Sequence, residues 1–502
     1  MSSKLKIQQK PNYTKLRIKV LILYGEIAFR RCIGFRHVQA FLLFLGVALA
    51  FGIRVNMSIA IVDMTFDWSI STQGIILSSF IVGFVISQAS GYFLASKFGG
   101  KLLMTVGVAL SAALSAFIPL GAYDGGWMLM CLCRGIQGLA QGAMIPAIHH
   151  LLENWFPFEN RRLMETLVIV CMQLGSALQF LMAGFIIRHW GWEMTFFINF
   201  ITGVIWSIFY VIFGSSSAET SKYISNDEKL YIRNCLLLDT ERKNLKMPWF
   251  ALWSLPFLSL ILACCAQQWG LWTIMTMMPI YLNVAYYNTD IELIGAVTAA
   301  PYFAMFLMVF PFRCIADCII NEKCVCKSSA TVTRKIFNTI GFIGPAICLV
   351  AISYVSTEIT LTGILLILFM ALNSAQYFGF MSSHEDMTPN FSNTLKRTTV
   401  GIADVLAMFA PLTAGSMLEG QPDLSDWSFV FNLSASLYIA CGVFYVIFGT
   451  SVRQKWNDDI VPPSFEHGKI YNVLCIFCLS DILIRANLLG IRCSQNNLRS
   501  HS

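Results

Sequence analysis

Charge is what this chain has least of. Only 13% of its 502 residues are Asp, Glu, Lys or Arg, about half the share usual in soluble domains, where roughly a quarter are charged. Hydrophobic residues make up 56%, and the mean hydropathy is +0.64. That balance excludes a water-soluble globule, although length alone would suggest about three soluble domains. Also missing are a phosphate-binding glycine loop, which excludes ATP-driven pumping by this chain alone, and any nucleic-acid motif. No catalytic cluster converges within the apolar segments, so an enzyme is not expected. The 16 cysteines are scattered through apolar runs without a framework spacing, and read as small core residues.

What is present is a series of apolar runs. A helix needs about 20 apolar residues to cross a bilayer core. Twelve segments qualify, near 38–62, 74–95, 102–120, 127–151, 166–187, 194–214, 252–281, 293–312, 336–355, 360–381, 398–418 and 428–449, with ends expected within about four residues. The long polar connection 215–249 divides them into two six-helix halves, 38–214 and 250–449. The fold class is therefore an all-α polytopic membrane protein.

Charge asymmetry predicts the orientation. Loops 96–101, 152–165, 215–249, 313–335 and 388–397 hold about half of the 35 lysines and arginines. The alternate loops hold only Arg188, but carry acids such as Asp63, Asp124, Asp290, Glu292 and Asp426. Both termini are thus expected in the cytoplasm, with 1–37 a basic tail and 450–502 a second tail. Glu26 and Arg30–Arg31 interrupt the apolar stretch near the N-terminus, which argues against a signal peptide.

Two junctions repeat between the halves. Gly91 to Lys101 joins spans 2 and 3 with small residues and the basic pair Lys97 and Lys101; Arg313, Ala316 and Asp317 follow span 8, with Arg334–Lys335 opening span 9. Small residues let helices approach, and recurrence in two halves is what an internally repeated transporter predicts. The pair resembles the loop signature of the major facilitator superfamily, with Ser96 where an acid is common. Span 1 carries Arg54-Val-Asn56-Met-Ser58 and Asp63; span 4 carries Arg134-Gly-Ile-Gln137-Gly138-Leu-Ala-Gln141-Gly142 and Pro146. With Trp155-Phe-Pro157, Ile224 to Ile232, Met247-Pro248-Trp249 and Pro279-Ile-Tyr281, these resemble the anion:cation symporter family. That family includes sialin, the vesicular glutamate transporters and the type I sodium–phosphate cotransporters; the likeness is greatest to its insect inorganic phosphate cotransporters and covers about 36–458. It implies a major facilitator fold, a small anionic substrate, a coupling cation (sodium or proton) and no other cofactor, in the plasma membrane or an endomembrane. The expected partners are that anion, that cation and the lipid bilayer, with no nucleic acid, and a monomer is expected.

The residues themselves point to an anion site. Arg54 lies nine residues before Asp63, and Arg134 eight after Gly126, so both sit ~12–14 Å below the same face at 1.5 Å per residue. An arginine so deep costs at least ~2.5–3.5 kcal/mol and normally faces a cavity or a partner. Two such cations would cradle an anion, which a guanidinium grips bidentately. Arg134 also admits a plain helix-packing role.

Departures from the resembled family refine the expectation. Leu77 stands where glutamate-type members have histidine, Gln267 where they have a third arginine, and Gln141 where they and sialin have glutamate. These changes point away from glutamate and proton-driven sialic acid transport, toward a small anion moved with sodium. Asp404 is the one carboxylate placed well inside a span, where the family has asparagine, and is the candidate cation-coupling residue; a hydrated polar role is its alternative. Ser383-His384-Glu385-Asp386 resembles the family's Asn-His-Leu-Asp stretch with two replacements, and Lys396–Arg397 are unusual there. The candidate substrate residues are therefore Arg54, Arg134, Gln141 and Gln267; the candidate coupling or gating residues are Asp404, His384, Asp317 and Lys101. No metal site is expected from His149, His150 and Glu153 or from Cys314, Cys318, Cys324 and Cys326. The alternatives to phosphate symport are an organic-anion transporter, sialic acid- or urate-like, and a receptor or scaffold that keeps the fold without transport.

Overall fold

The computed structural model describes residues 34–64, 66–156, 158–239, 253–286, 289–320, 329–354, 358–419, 424–454 and 457. The tails 1–33 and 458–502, the segment 240–252 and Cys324 with Cys326 lie outside them, as do the readings made there. A compact unit ends at Gln454.

Eleven helices among the described residues are long and apolar enough to cross a membrane. One of them, Gly100–Trp155, has 56 residues, which at 1.5 Å each is ~84 Å, far more than the ~30 Å of a bilayer core. Gly126 resolves this: at φ 62° and ψ −161° it is non-helical and splits the helix into spans 3 and 4. Twelve spans result. Span 1 is Phe35–Asp63, span 2 Ile70–Phe98, span 5 Phe158–Trp190, span 6 Trp192–Phe213, span 7 Leu255–Ala285 and span 8 Ile291–Ile320. Span 9 is Ala330–Tyr354, span 10 runs through Ile359–Met387, span 11 through Ser392–Met417, and span 12 is Leu424–Phe448.

The expected ends need correcting on the basic face. Spans 5, 8, 9, 10 and 11 run about six to eight residues further there than their apolar runs. A helix satisfies its own backbone hydrogen bonds, so it continues past the apolar stretch wherever polar side chains find water or partners. As a consequence Lys396 and Arg397, expected in a loop, stand inside span 11. Span 10 is also not one helix: it is α-helical to Asn373, tightens to a 3-10 turn over Ser374–Tyr377, and resumes at Phe380.

Solvent exposure is inverted relative to a soluble protein. Phe41, Ile86, Leu132, Ile208, Ile347 and Ile447 point outward, whereas Arg54, Asn56, Gln137, Gln267, Asn338 and Asp404 are buried. Only a lipid surround makes that arrangement favourable. Spans 2 and 4 meet through glycines so closely that a Cβ at Gly138 would collide with the Phe80 carbonyl. Between the halves, span 2 meets span 11 at Gly74 and Gly415, and span 5 meets span 8 at Gly184 and Gly295. These crossings lie toward the acid-rich face, where Arg188 also reaches Asp290 at 2.6 Å and Glu292 at 3.6 Å. The polar connection contains a helix of its own, Asn226–Asp239. Its Glu228 accepts the backbone N–H groups of Phe35 and Arg36 at 3.0 and 3.2 Å, satisfying orphan donors at the positive end of span 1.

Candidate functional site

Spans 1, 2, 4 and 5 of the first half and 7, 10 and 11 of the second enclose a cavity of about 590 Å³. It reaches from Arg54, Trp272 and Asp404 to His149, Glu165, Asn393, Lys396 and Arg397 at the basic end, and no residue of the acid-rich loops lines it. With the crossings described above holding the other end together, the cavity faces the basic side.

Arg54 is the cation of its inner wall. Its guanidinium stands over Phe51 at 4.1 Å and Phe84 at 4.5 Å, with Phe80 and Trp272 at 5.2 and 5.6 Å. The negative faces of these rings attract the charge in a desolvated setting. Nε and Nη2 both donate to Gln141 Oε1, at 3.4 and 3.3 Å. Among the described residues Arg54 forms no ion pair.

Arg134 is placed differently from the two-arginine cradle expected from depth alone. It does not line the cavity. Nη2 donates to the Arg54 carbonyl at 3.0 Å and Nη1 to Gln137 Oε1 at 3.0 Å, and the group stands over Phe80 at 4.7 Å. Gln137 in turn donates to Ser111 O and Ser115 Oγ. Two of its three guanidinium nitrogens thereby tie span 4 to span 1 and to Gln137, the geometry of the alternative role, while Nε has no partner. Gln141, likewise behind the wall, positions Arg54.

Across the cavity, Asp404 on span 11 is 2% exposed and accepts a hydrogen bond from Gln268 Nε2 at 2.5 Å. It is therefore not bare, but among the described residues it has no ion pair. Arg54 and Asp404 line the same cavity although they belong to different halves. Gln267 lines the wall beside them, with Nε2 unpartnered.

The remaining candidates lie apart from the cavity lining. His384 is fully buried and bonds Thr399 Oγ1 at 3.1 Å, tying the end of span 10 to span 11. Asp317 pairs with Arg313 one turn away at 3.7 Å. Lys101 donates to Val211 O at 2.8 Å, at the end of span 6 in its own half.

Four charged residues at the basic end were not singled out as a group from the sequence. Glu165 of span 5 pairs with Lys396 at 3.7 Å and His149 at 3.7 Å. Glu153 of span 4 pairs with Arg397 at 3.5 Å and accepts from Asn393 Nδ2 at 3.0 Å. Both pairs join the halves. The signal available in the sequence was the unusual Lys396–Arg397 itself, which needed acids from elsewhere.

The Major Facilitator Superfamily model matches residues 42–402. An inorganic phosphate cotransporter of Drosophila melanogaster, so described with the qualifier "Putative", is 32% identical over 87% of this chain and 89% of its own length. Sialin of Ovis aries is 29% identical over 85% and 91%, and vesicular glutamate transporter 2 of Homo sapiens 26% over 85% and 76%. Among solved structures, the inward-open xylose transporter XylE of E. coli superposes with a TM-score of 0.64 at 14% identity, covering 82% of this chain and 96% of that one. A bacterial homologue of the lysosomal transporter Spinster gives 0.59 at 12%, covering 82% and 96%. The chain belongs to the major facilitator superfamily of secondary transporters, in the branch that contains sialin, the vesicular glutamate transporters and the insect phosphate cotransporters.

Proposed function

We propose that this protein is a sodium-driven symporter of a small anion, inorganic phosphate first among the candidates, working by alternating access. The observation that carries the reading is the placement of Arg54 and Asp404 on opposite halves around one cavity. A carboxylate near a cationic site opposes anion binding, and a cation bound at Asp404 removes that opposition. Linkage is reciprocal, so the anion then also favours the cation. Arg54 is the anion ligand in this scheme, Gln141 its orienting partner, and Gln267 a neutral donor beside it. The basic face is cytoplasmic by the charge rule, which makes the present cavity inward-facing. The names of two relatives, phosphate cotransporter and vesicular glutamate transporter, agree with a small anion as cargo.

A second reading, an organic anion, draws on the lining itself. Phe51, Phe84, Leu271, Trp272 and Met275 make the wall largely apolar, and the volume falls in the range of pockets that enclose drug-sized ligands. A strongly hydrated phosphate uses little of such a wall, whereas a carboxylate on an apolar body would fill it. Uptake into proteoliposomes of radiolabelled phosphate and, in parallel, of radiolabelled sialic acid, urate and benzoate, each with and without an inward sodium gradient, decides between them. Sodium-dependent phosphate uptake supports the first reading. Uptake of a labelled organic acid without phosphate uptake supports the second, and transport of none of them leaves a fold without transport.

A further inference from the structure

The turn in span 10 buries more unpaired oxygen than its surroundings explain. Asn373 ends the α-helical part, Gln376 sits three residues on in the 3-10 turn, and side chains three residues apart share one face of a helix. Both are fully buried, and both amide oxygens, Asn373 Oδ1 and Gln376 Oε1, lack a hydrogen-bond partner. Their nitrogens are occupied: Asn373 Nδ2 donates to Tyr438 Oη at 2.7 Å, and Gln376 Nε2 donates to Gly341 O. The phenol is oriented too, with its hydroxyl directed at Gln267 O at 3.5 Å. Gly270 makes room for it, since a Cβ there would collide with the Tyr438 ring. Phe342 and Phe369 pack around the same ring. A buried acceptor in an apolar surround carries a desolvation cost unless something binds it.

We propose that this turn holds a sodium ion, with Asn373 Oδ1 and Gln376 Oε1 as ligands and the Tyr438 hydroxyl and Gln267 carbonyl at its edge. Interrupted helices that coordinate Na⁺ through backbone carbonyls at the break are a recurring device in secondary transporters; here the unpaired oxygens at the break are side-chain amides. The donor set is hard oxygen, which suits an alkali cation and not a soft metal. Amide oxygens do not take up a proton near neutrality, so the site selects sodium over H⁺, and without a carboxylate it is a poor host for a divalent ion. Gln267 connects it to the substrate: its side chain lines the cavity while its carbonyl meets Tyr438. The site is separate from Asp404 and adds a second cation to the cycle. Its coupling role rests on the symport reading above; its occupancy does not.

The test therefore avoids transport. The protein carrying Asp404→Asn, purified in detergent without anion substrate, is melted in sodium chloride and in choline chloride, with potassium chloride as a control. Sodium alone should raise the melting temperature, and adding Asn373→Ala should abolish the rise. Absence of a sodium effect in Asp404→Asn, or its persistence with Asn373→Ala, overturns the site and leaves those oxygens to water. If Asn373→Ala does not fold, Asn373→Asp decides, because a carboxylate of the same shape adds ligand charge and should lower the half-saturating sodium concentration severalfold, on the order of 10-fold. An unchanged value overturns the proposal. Failure of the wild-type protein to take up phosphate or any of the organic anions, with this sodium effect intact, would sink the symport reading alone.

Discussion

At the scale of the residue, the two buried arginines make opposite predictions. Arg54 faces the cavity and is held by ring faces and one amide oxygen, so removing it leaves the helix packing in place. Arg54→Ala should abolish anion uptake while surface expression stays near normal; unchanged uptake would rule it out as an anion ligand. Arg54→Lys should restore only a small part, since an ammonium lacks the planar fork that both stacks on Phe51 and grips two oxygens. The stacking alone is worth about 2 kcal/mol when desolvated. Arg134 instead satisfies the Arg54 carbonyl and Gln137. Arg134→Ala leaves the buried Gln137 Oε1 without its donor at roughly 1–3 kcal/mol and removes the tie from span 4 to span 1, so its first effect should be a lower melting temperature and poorer expression. A variant with wild-type melting but lost uptake would place Arg134 in the substrate path.

At the scale of the element, the number of spans was legible because each crossing needs its own apolar run, and a break such as Gly126 is visible as glycine between two runs. Depth was legible as well, since axial rise is fixed: Arg54 and Arg134 do lie at comparable heights on neighbouring helices. Azimuth was not. Rise per residue says nothing about which way a side chain points around the axis, and so a second-layer arginine read as half of a cradle. The ends were misplaced for a different reason, because apolarity marks the lipid and not the helix. The glycine stripe of spans 2 and 4 lets backbones touch, with Gly138 against Phe80 O and Gly142 against Phe84 O. Because Arg54 rests on Phe80 and Phe84 of the same stretch, this contact also positions the site. Gly138→Val must push span 2 away, an overpacking that costs typically 1–3 kcal/mol or more. It should reduce folded yield in size-exclusion profiles and lower uptake per folded molecule. Normal yield and normal uptake would show that the two helices can separate freely.

At the scale of the whole molecule, the halves are bridged by charge at both ends, and the two sets of bridges differ in kind. At the acid-rich end Arg188, Asp290 and Glu292 are 45%, 64% and 44% exposed. Pairs so open to water are worth about 0–1 kcal/mol and weaken with salt. At the basic end Glu165 and Glu153 are only 9% and 13% exposed, and their partners Lys396 and Arg397 16% and 25%. None of these pairs could be read from the chain, because each partner is far away in sequence and meets the other only when the halves assemble. The difference in burial predicts an asymmetric response to mutation. Arg188→Ala should shift the balance between inward- and outward-facing forms slightly, and less still at high salt. Lys396→Met leaves the Glu165 carboxylate beside the cavity with His149 and the more distant Arg161 as its remaining cationic neighbours, which is costly for a buried charge. It should loosen the basic end strongly, an effect that added salt does not reproduce. Spin labels on the basic ends of spans 5 and 11, read by electron–electron distance measurement, would report both. Equal shifts for the two variants, or a larger one for Arg188→Ala, would mean that helix crossings, and not the buried pairs, set the position of the halves.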